Sequence, residues 1–301
     1  MRCELPTAPV RARQWPAGGA VADREGETAL TNVFFHIGMH KTATTWFQHQ
    51  LFPNLKGVQV LHMRHVAKVP IPDPDAPTLI VSHAGLSATL SVNKTPGTNS
   101  QWLADNLRRI QEVAPDSHII IGFREQRSWL HAAYCNKAKK TRGVSQQAYV
   151  ATFSLEDLSW CQTLRTIERS SPGVFPFLYE ELLLQPHVLI EDLCSFIGKT
   201  PPKNLDQLLT ARENPSPRSH VGQLVAQSLY ALHYASGRMI PKSYSGRIGA
   251  RFDRYFPTKP MVLDMDVAAA LQQDWNDLKR LIGERRSRDF SALSRNQAPR
   301  I

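Results

Sequence analysis

Gly38, Lys41, Thr44 and Thr45 follow a short apolar run and precede a segment of helical character, in the stretch FHIGMHKTATTWFQ at residues 35–48. Backbone N–H groups at the start of a helix have no partner inside the helix, and the helix dipole favours an anion there. A lysine adds positive charge to such a turn, and threonine hydroxyls add further donors. These residue types at this spacing predict a turn that binds phosphate or a similar anion.

Lys41 stands too early in this turn for the Walker A loop of ATPases and GTPases. That motif, GxxxxGK[ST], places lysine between a glycine and the final serine or threonine. Here His40 precedes Lys41, and Thr44 and Thr45 follow the lysine by three and four residues. The order therefore disfavours an ordinary ATPase or GTPase.

Short apolar runs alternate along the chain with segments of helical periodicity. Strands are predicted at residues 32–37, 57–62, 78–82, 118–123 and 174–179. Helices are predicted at residues 44–51, 100–114 with Ser100 as N-cap, 124–140, 154–170, 187–198 with Gly198 as the stop, 221–236 and 267–283. Apolar runs without alternation are typical of strands buried on both faces of a parallel sheet. The sequence therefore predicts an α/β fold, a three-layer sandwich with a central parallel sheet of about five strands flanked by helices and a helical C-terminal part.

The composition narrows the class of protein. The chain has 301 residues and a formal net charge of +10, an excess that suggests an anionic ligand. Its four cysteines lie far apart without a CxxC pair, which disfavours a zinc site and a disulfide scaffold. We expect a disordered tail at residues 1–30, a single domain at 31–290 and a flexible tail at 291–301. With neither an apolar leader nor a membrane-length apolar run in the sequence, we expect a soluble, cytoplasmic protein.

The stretch HIGMHKTATTWFQ resembles the loop of the PAPS-dependent sulfotransferase family, usually written with a K-x-G-T-T core. In that family the loop binds the 5′-phosphosulfate of 3′-phosphoadenosine-5′-phosphosulfate (PAPS). The resemblance implies a P-loop NTPase-like fold of the bacterial type. It also implies that the loop binds the co-substrate through Gly38, His40, Lys41, Thr42, Ala43, Thr44 and Thr45. Ala43 stands at the place of the family's glycine, as in branches that act on glycosaminoglycans.

A second stretch, HIIIGFREQRSWLHAAY, resembles the family's 3′-phosphate segment. There an arginine ends a strand, and a serine eight residues later joins it on the phosphate. The resemblance assigns Arg124 to the 3′-phosphate, while Ala132 stands at the serine position, so Ser128 is a candidate substitute. Arg218 lies in a loop that resembles the family's loop closing over the nucleotide, and it is a candidate second ligand of the 3′-phosphate. VFPFLYEELLLQP and SFIG resemble further family segments, whose residues we interpret as structural.

The resemblance implies sulfuryl transfer from PAPS to a hydroxyl or amine of a small-molecule, lipid or carbohydrate acceptor, without a metal, and release of adenosine 3′,5′-bisphosphate. Lys41 would stabilise the leaving phosphate. A histidine, aspartate or glutamate near the strand ends must serve as base. We nominate His83, which follows the strand at 78–82, although a role without chemistry is equally open. His36 lies within the first strand, where a buried core histidine is the simpler interpretation.

Two alternatives stay open. The first alternative is a nucleotide-binding protein of this fold without catalytic activity, which the alanines at residues 43, 84 and 132 leave possible. A small-molecule P-loop kinase would need a Mg²⁺-binding hydroxyl directly after the loop lysine, where Thr42 stands. Nucleic-acid binding has no support beyond charge, because basic and aromatic residues do not interleave. No integral membrane segment is expected, and the sequence leaves the oligomeric state open.

Overall fold

The structure is a computed structural model that describes residues 32–62, 78–87, 99–138, 144–211 and 261–296, with four isolated positions between 212 and 260. Five strands form one sheet: β1 (Asn32–His36), β2 (Val58–His62), β3 (Thr78–Ser82), β4 (His118–Phe123) and β5 (Val174–Leu178). All strand pairs are parallel, in the order β2-β3-β1-β4-β5. The predicted α/β fold with a five-stranded parallel sheet is confirmed, and each strand differs from its predicted bounds by at most one residue.

The sheet is buried on both faces, as its unbroken apolar runs predict. All five residues of β3 are buried, and so are the last three of β1. Neighbouring residues of β1 serve opposite faces, since Phe35 belongs to one apolar cluster and Phe34 to the other. The central strand β1 is therefore held from both sides, which fixes where its carboxyl end and the following turn lie.

Helices cover the two faces of the sheet. Their bounds are α1 (Thr44–Trp46), α2 (Asn99–Val113), α3 (Gln126–Ala138), α4 (Gln146–Val150), α5 (Trp160–Glu168), α6 (Tyr179–Leu184), α7 (Pro186–Phe196), α8 (Leu205–Thr210) and α9 (Met265–Asn296). The two clusters divide them: the Phe35 cluster includes residues of α2, α3, α5 and α9, and the Phe34 cluster includes residues of α7 and α8. Among the described helices, none is both long and apolar enough to span a membrane.

Several predicted helices differ from those observed. The helix predicted at 44–51 is one α turn followed by a π-helical stretch, Phe47–Leu51, and a 3₁₀ turn, Phe52–Asn54. The segment predicted at 154–170 divides into a 3₁₀ turn, Glu156–Leu158, and α5. Helix α2 begins at Asn99, so Ser100 lies inside its first turn and is not the N-cap. The sequence prediction missed α4, α6 and α8, whose five or six residues are too short for a periodic signal.

The predicted end of α7 and the predicted C-terminal helix agree better with the observed structure. Gly198 ends α7 in the left-handed conformation, with φ of 66°. Helix α9 contains the predicted 267–283 segment and continues to Asn296. The predicted helix at 221–236 lies outside the described residues, apart from isolated positions. The division into tails and one domain stays a prediction.

Helix α9 fastens the first turns of α3 and α5. The carboxylate of Asp274 accepts hydrogen bonds from the Trp160 N–H and the Ser159 hydroxyl, each 2.8 Å long, and from Gln126 Nε2 at 2.7 Å. The Trp160 and Ser159 bonds occupy donors at the N-terminus of α5, and Gln126 is the first residue of α3. The C-terminal helix therefore determines where α3 begins, directly after the end of β4.

The strand order creates a crevice between β1 and β4. The chain leaves β1 towards the β2 side of the sheet and leaves β4 towards the β5 side. Ligands of open parallel sheets bind where connections diverge in this way, outside the carboxyl ends of the strands. Both segments assigned to phosphate binding from the sequence start at this crevice.

Candidate functional site

The turn after β1 owes its shape to two residues with left-handed backbones. The chain first continues beside β4, where the Met39 N–H donates to the Gly122 carbonyl at 3.2 Å. Lys41 and Ala43 then adopt φ angles of 71° and 63°. Such angles are uncommon for residues other than glycine. Together they bend the chain from the strand direction into α1 within a few residues.

The same turn presents several unused backbone donors. Within the described part of the chain, the N–H groups of Gly38, Ala43, Thr44 and Thr45 donate no hydrogen bond. The Thr44 hydroxyl is buried and also has no partner. Unpaired donors in a turn that also carries a lysine are what an oxyanion requires. The phosphate-binding residues predicted from the sequence are thus contiguous in one turn.

Ala43 has the backbone conformation that glycine adopts most easily. It is the N-cap residue of α1, with φ of 63° and ψ of 18°. A left-handed alanine costs about 1 kcal/mol relative to glycine. Alanine at this position therefore carries a backbone strain that glycine would not carry.

Ala43→Gly is expected to raise the free energy of unfolding by about 1 kcal/mol, because glycine relieves this strain. The matched control is Ala104→Gly, at an exposed position inside α2, which should lower it by about 1 kcal/mol through helix propensity. Urea unfolding of the three proteins measures both changes. Destabilisation by both substitutions would show that Ala43 is not strained.

Gly38 is needed for close packing beneath the turn. A Cβ at this position would lie 3.0 Å from His36 Nε2 and 3.3 Å from the hydroxyl oxygens of Thr42 and Thr44. The Thr42 hydroxyl donates to the Met39 carbonyl and is fully buried. It therefore faces the interior, which is unlike the Mg²⁺-binding hydroxyl that a P-loop kinase needs at this position.

Arg124 brings the second predicted phosphate site to the first. Its Nη1 lies 3.4 Å from the Lys41 carbonyl oxygen, and its Nε donates to Ser128 Oγ at 2.7 Å. The guanidinium carbon lies 4.7 Å from the centre of the Tyr179 ring, within the range of a cation–π contact. Tyr179 therefore supports the guanidinium in addition to starting α6.

Ser128 and Ala132 lie one helical turn apart on α3 and share a face of that helix. The Ser128 side chain points towards Arg124, whose Nε donates to its hydroxyl oxygen. The Glu125 carboxylate accepts the N–H groups of Arg127 at 2.9 Å and Ser128 at 2.6 Å. The Glu125 carboxylate therefore caps α3, and the two backbone N–H groups that it binds are not available to a ligand. Arg218 lies outside the described residues.

Two tryptophans hold the carbonyl groups of the site. Trp129 Nε1 donates to the His40 carbonyl at 2.7 Å, and Trp160 Nε1 donates to the Arg124 carbonyl at 2.8 Å. Both indole rings are fully buried and meet edge to face, with ring centroids 5.3 Å apart. This pair fixes the backbone at both predicted phosphate sites. The tryptophan pair was not predicted from the sequence, because its two hydrogen bonds to carbonyl groups join residues 36 or more positions apart.

His83 follows β3 at the same edge of the sheet. Its N–H donates to the His36 carbonyl at 3.0 Å, and its Nδ1 accepts the Gly85 N–H at 3.1 Å. A Cβ on Gly85 would lie 2.5 Å from the His83 ring, so a larger residue there would displace the ring from this position. With Nδ1 used as acceptor, the neutral ring carries its proton on Nε2. The described geometry therefore presents His83 as a donor, and action as a base requires loss of the Gly85 bond.

His36 ends β1 in a fully buried position, and burial lowers the pKa of its imidazole to about 3. Its Nδ1 lies 2.7 Å from Ser82 Oγ, and Gln48 Nε2 donates to the same oxygen at 3.0 Å. The ring also packs edge to face against Phe47 and Phe52. The apolar packing agrees with the core role expected from the sequence, but His36 Nε2 is buried without a hydrogen-bond partner.

Among the described residues, no group of three or more metal-ligand side chains could hold an ion.

Comparison with solved structures shows distant likeness, of which one example follows. No family model matches the chain, and no curated protein does either. A crystal structure of a sulfotransferase from Alicyclobacillus acidocaldarius is similar to this chain with a TM-score of 0.41 and 13% sequence identity. The similarity covers 72% of this chain and 99% of the other. A likeness of this size carries no argument about activity, so function must be argued from the site.

Proposed function

We propose that this chain is a sulfotransferase that uses PAPS as sulfuryl donor. The observation that carries the proposal is that two segments predicted to bind anions meet at one crevice, where Arg124 Nη1 lies 3.4 Å from the Lys41 carbonyl oxygen. A nucleotide with phosphate groups on both its 5′ and 3′ positions needs two such segments. An ordinary nucleoside triphosphate needs only a single phosphate loop with a metal.

The turn at residues 38–45 would hold the 5′-phosphosulfate. Unused N–H groups of Gly38, Ala43, Thr44 and Thr45 converge there, and the Thr44 hydroxyl is buried without a partner. A buried polar group without a partner is rare and costly, so it points to a ligand or water that completes the site. The fit between donors and oxyanion supports this assignment.

Arg124 would hold the 3′-phosphate, with Ser128 beside it. A guanidinium binds phosphate through two parallel N–H groups, which makes arginine well suited to this role. Ser128 contacts the guanidinium directly, and Tyr179 packs beneath it. Ala132 shares a helix face with Ser128 and offers no hydroxyl. The site therefore relies on one serine, placed one turn earlier than in the family pattern.

The bound co-substrate supplies an activated sulfuryl group, which an acceptor hydroxyl or amine would attack in line. Lys41 would stabilise the negative charge that appears on the leaving phosphate, in the way that fixed charges assist phosphoryl transfer. His83 lies at the same edge of the sheet and stays a candidate for the base. As a donor, it would instead orient the acceptor or the sulfuryl oxygens. The acceptor, whether small molecule, lipid or carbohydrate, would approach over the carboxyl ends of β1 and β3.

Adenosine 3′,5′-bisphosphate is expected to bind at least about tenfold more tightly than ATP with Mg²⁺, since one charged hydrogen bond contributes roughly ten- to 150-fold in affinity. Calorimetric titration of both ligands makes the comparison. Adenosine 5′-phosphate serves as the control, and it should bind more weakly because it cannot reach Arg124. A preference for ATP with Mg²⁺ would instead favour the small-molecule kinase.

Labelled PAPS offered together with sugars, lipids and phenols then identifies the acceptor.

A further inference from the structure

His36 is a polar side chain in an otherwise apolar place. It is fully buried at the end of the central strand, with Phe47 and Phe52 against its ring. One nitrogen, Nδ1, bonds to Ser82, while the other, Nε2, has no partner in the described part of the chain. A core position would be filled better by phenylalanine or leucine, because an unpaired buried nitrogen destabilises the fold. The imidazole must therefore serve some other purpose.

The bonds around Ser82 determine which nitrogen of His36 carries the proton. Gln48 Nε2 donates to both the carbonyl and the hydroxyl oxygen of Ser82, at 3.0 Å each, so the hydroxyl oxygen already accepts one bond. The Ser82 proton can then go to His36 Nδ1, the acceptor 2.7 Å away. If His36 Nδ1 donated instead, the Ser82 proton would have no acceptor among the described residues. The tautomer that pairs both the Ser82 hydroxyl proton and His36 Nδ1 is therefore the one that carries its own proton on Nε2.

The free Nε2–H points to the inner side of the anion-binding turn. It lies 3.0 Å from the place of a Cβ on Gly38, and the hydroxyl oxygens of Thr42 and Thr44 lie 3.3 Å from the same place. Three polar atoms from β1 and the turn thus converge beside Gly38, where the chain has no side chain. Two of them, His36 Nε2 and Thr44 Oγ, are buried without a partner. Two buried polar atoms without partners that point to one place form a site suited to an oxygen atom of a ligand.

We propose that His36 is a buried hydrogen-bond donor for a sulfate or phosphate oxygen held in the turn at residues 38–45. The proposal rests on the proposed function, since it requires that the turn binds the 5′-phosphosulfate. His36 is then a positioning residue, which adds a donor from the floor of the site to those of the turn. Because the donor is uncharged, it can hold an oxygen of the transferring group without competing with Lys41 for the developing charge.

This arrangement couples the bound anion to the end of the neighbouring strand β3. His36 reaches Ser82 at the end of β3 through Nδ1, and its carbonyl accepts the His83 N–H at 3.0 Å. Gln48 joins the same cluster from the π-helical stretch. Occupation of the turn would therefore order the end of β3, which leads directly to His83.

The test uses two substitutions, each of which keeps a polar group near the position of one ring nitrogen. Asparagine can still accept the Ser82 proton but does not reach the turn, whereas glutamine places an amide N–H near Nε2. His36→Asn is expected to weaken binding of adenosine 3′,5′-bisphosphate roughly ten- to 150-fold, the range for one hydrogen bond to a charged group. His36→Gln should recover most of that loss. Calorimetry on the full chain measures the affinities, and thermal unfolding verifies that each variant folds.

The matched control is His118→Asn. His118 begins β4, where it lies opposite Phe34 in register and therefore on the side of His36 away from the turn. Its Nδ1 is likewise buried without a partner. This variant should bind the nucleotide like the unaltered protein. Equal losses in His36→Asn and His118→Asn would assign the effect to general destabilisation and overturn the proposal.

Proton–nitrogen correlation NMR of the imidazole gives a second measurement, the chemical shift of the Nε2 proton, which a purely structural role would leave unchanged on ligand addition. In the unaltered protein, the His36 Nε2 proton should move downfield when inorganic sulfate or adenosine 3′,5′-bisphosphate is added. An unmoved signal with a bound nucleotide would overturn the role of His36 while the proposed function stands. A protein that binds neither sulfate nor the nucleotide would contradict both.

Discussion

Lys41→Ala is expected to lower turnover by about 100- to 1,000-fold, the cost of removing one group that stabilises charge in a transition state. The affinity for adenosine 3′,5′-bisphosphate should fall much less, because the developing charge exists only while the bond to the sulfuryl group breaks. The backbone of the turn should survive the change. Lysine and alanine carry a similar strain at a φ of 71°, so the substitution removes the side chain alone.

Two variants make this measurement specific. Lys41→Arg keeps the positive charge and should retain part of the turnover. Lys199→Ala removes an ammonium that donates to the Gly57 carbonyl at 3.2 Å, next to the amino end of β2 and away from the crevice. That variant should turn over like the unaltered protein. If Lys41→Ala lowers turnover and affinity to the same extent, then Lys41 only anchors the ligand.

The sheet could be predicted from the sequence because its signal is local. The runs that became β1, β3 and β4 are short, apolar and free of alternation, which is typical of a buried parallel strand. Once those strands are known, their carboxyl ends must share one edge of the sheet. Lys41 and Arg124 follow two of these ends, so their proximity follows from the topology.

The floor of the site could not be predicted in this way. His36 meets Ser82 across 46 residues, and Gln48 meets Ser82 across 34 residues. Such contacts depend on strand register, with His36 opposite Ser82, and register is not visible in a single apolar run. The left-handed backbone of Lys41 was equally hidden, because lysine has no preference for positive φ. The residues proposed to face a ligand were predictable by type, and the residues beneath the turn were not.

Acid is expected to destabilise the protein through His36. Burial lowers the pKa of this imidazole from 6.5 to about 3, so the unfolded chain binds the proton first as the pH falls. Between those two values the unfolded state holds more protons, and stability must therefore rise with pH. The contribution is fully present above pH 6.5 and is lost towards pH 3, at about 1.4 kcal/mol per pH unit and ~5 kcal/mol at most.

His36→Asn removes this titration and keeps an acceptor for Ser82, so its stability should depend less on pH. Urea unfolding at pH 7 and pH 4.5 gives the comparison, and the unaltered protein should lose about 2–3 kcal/mol more than the variant. Burial raises the pKa of the Glu180 and Asp192 carboxyls, and their contribution has the opposite sign. It is common to both proteins and cancels in the difference. Equal losses in the two proteins would mean that His36 accepts a proton in the folded state as readily as in the unfolded chain, and the imidazole could not then be the uncharged donor inferred here.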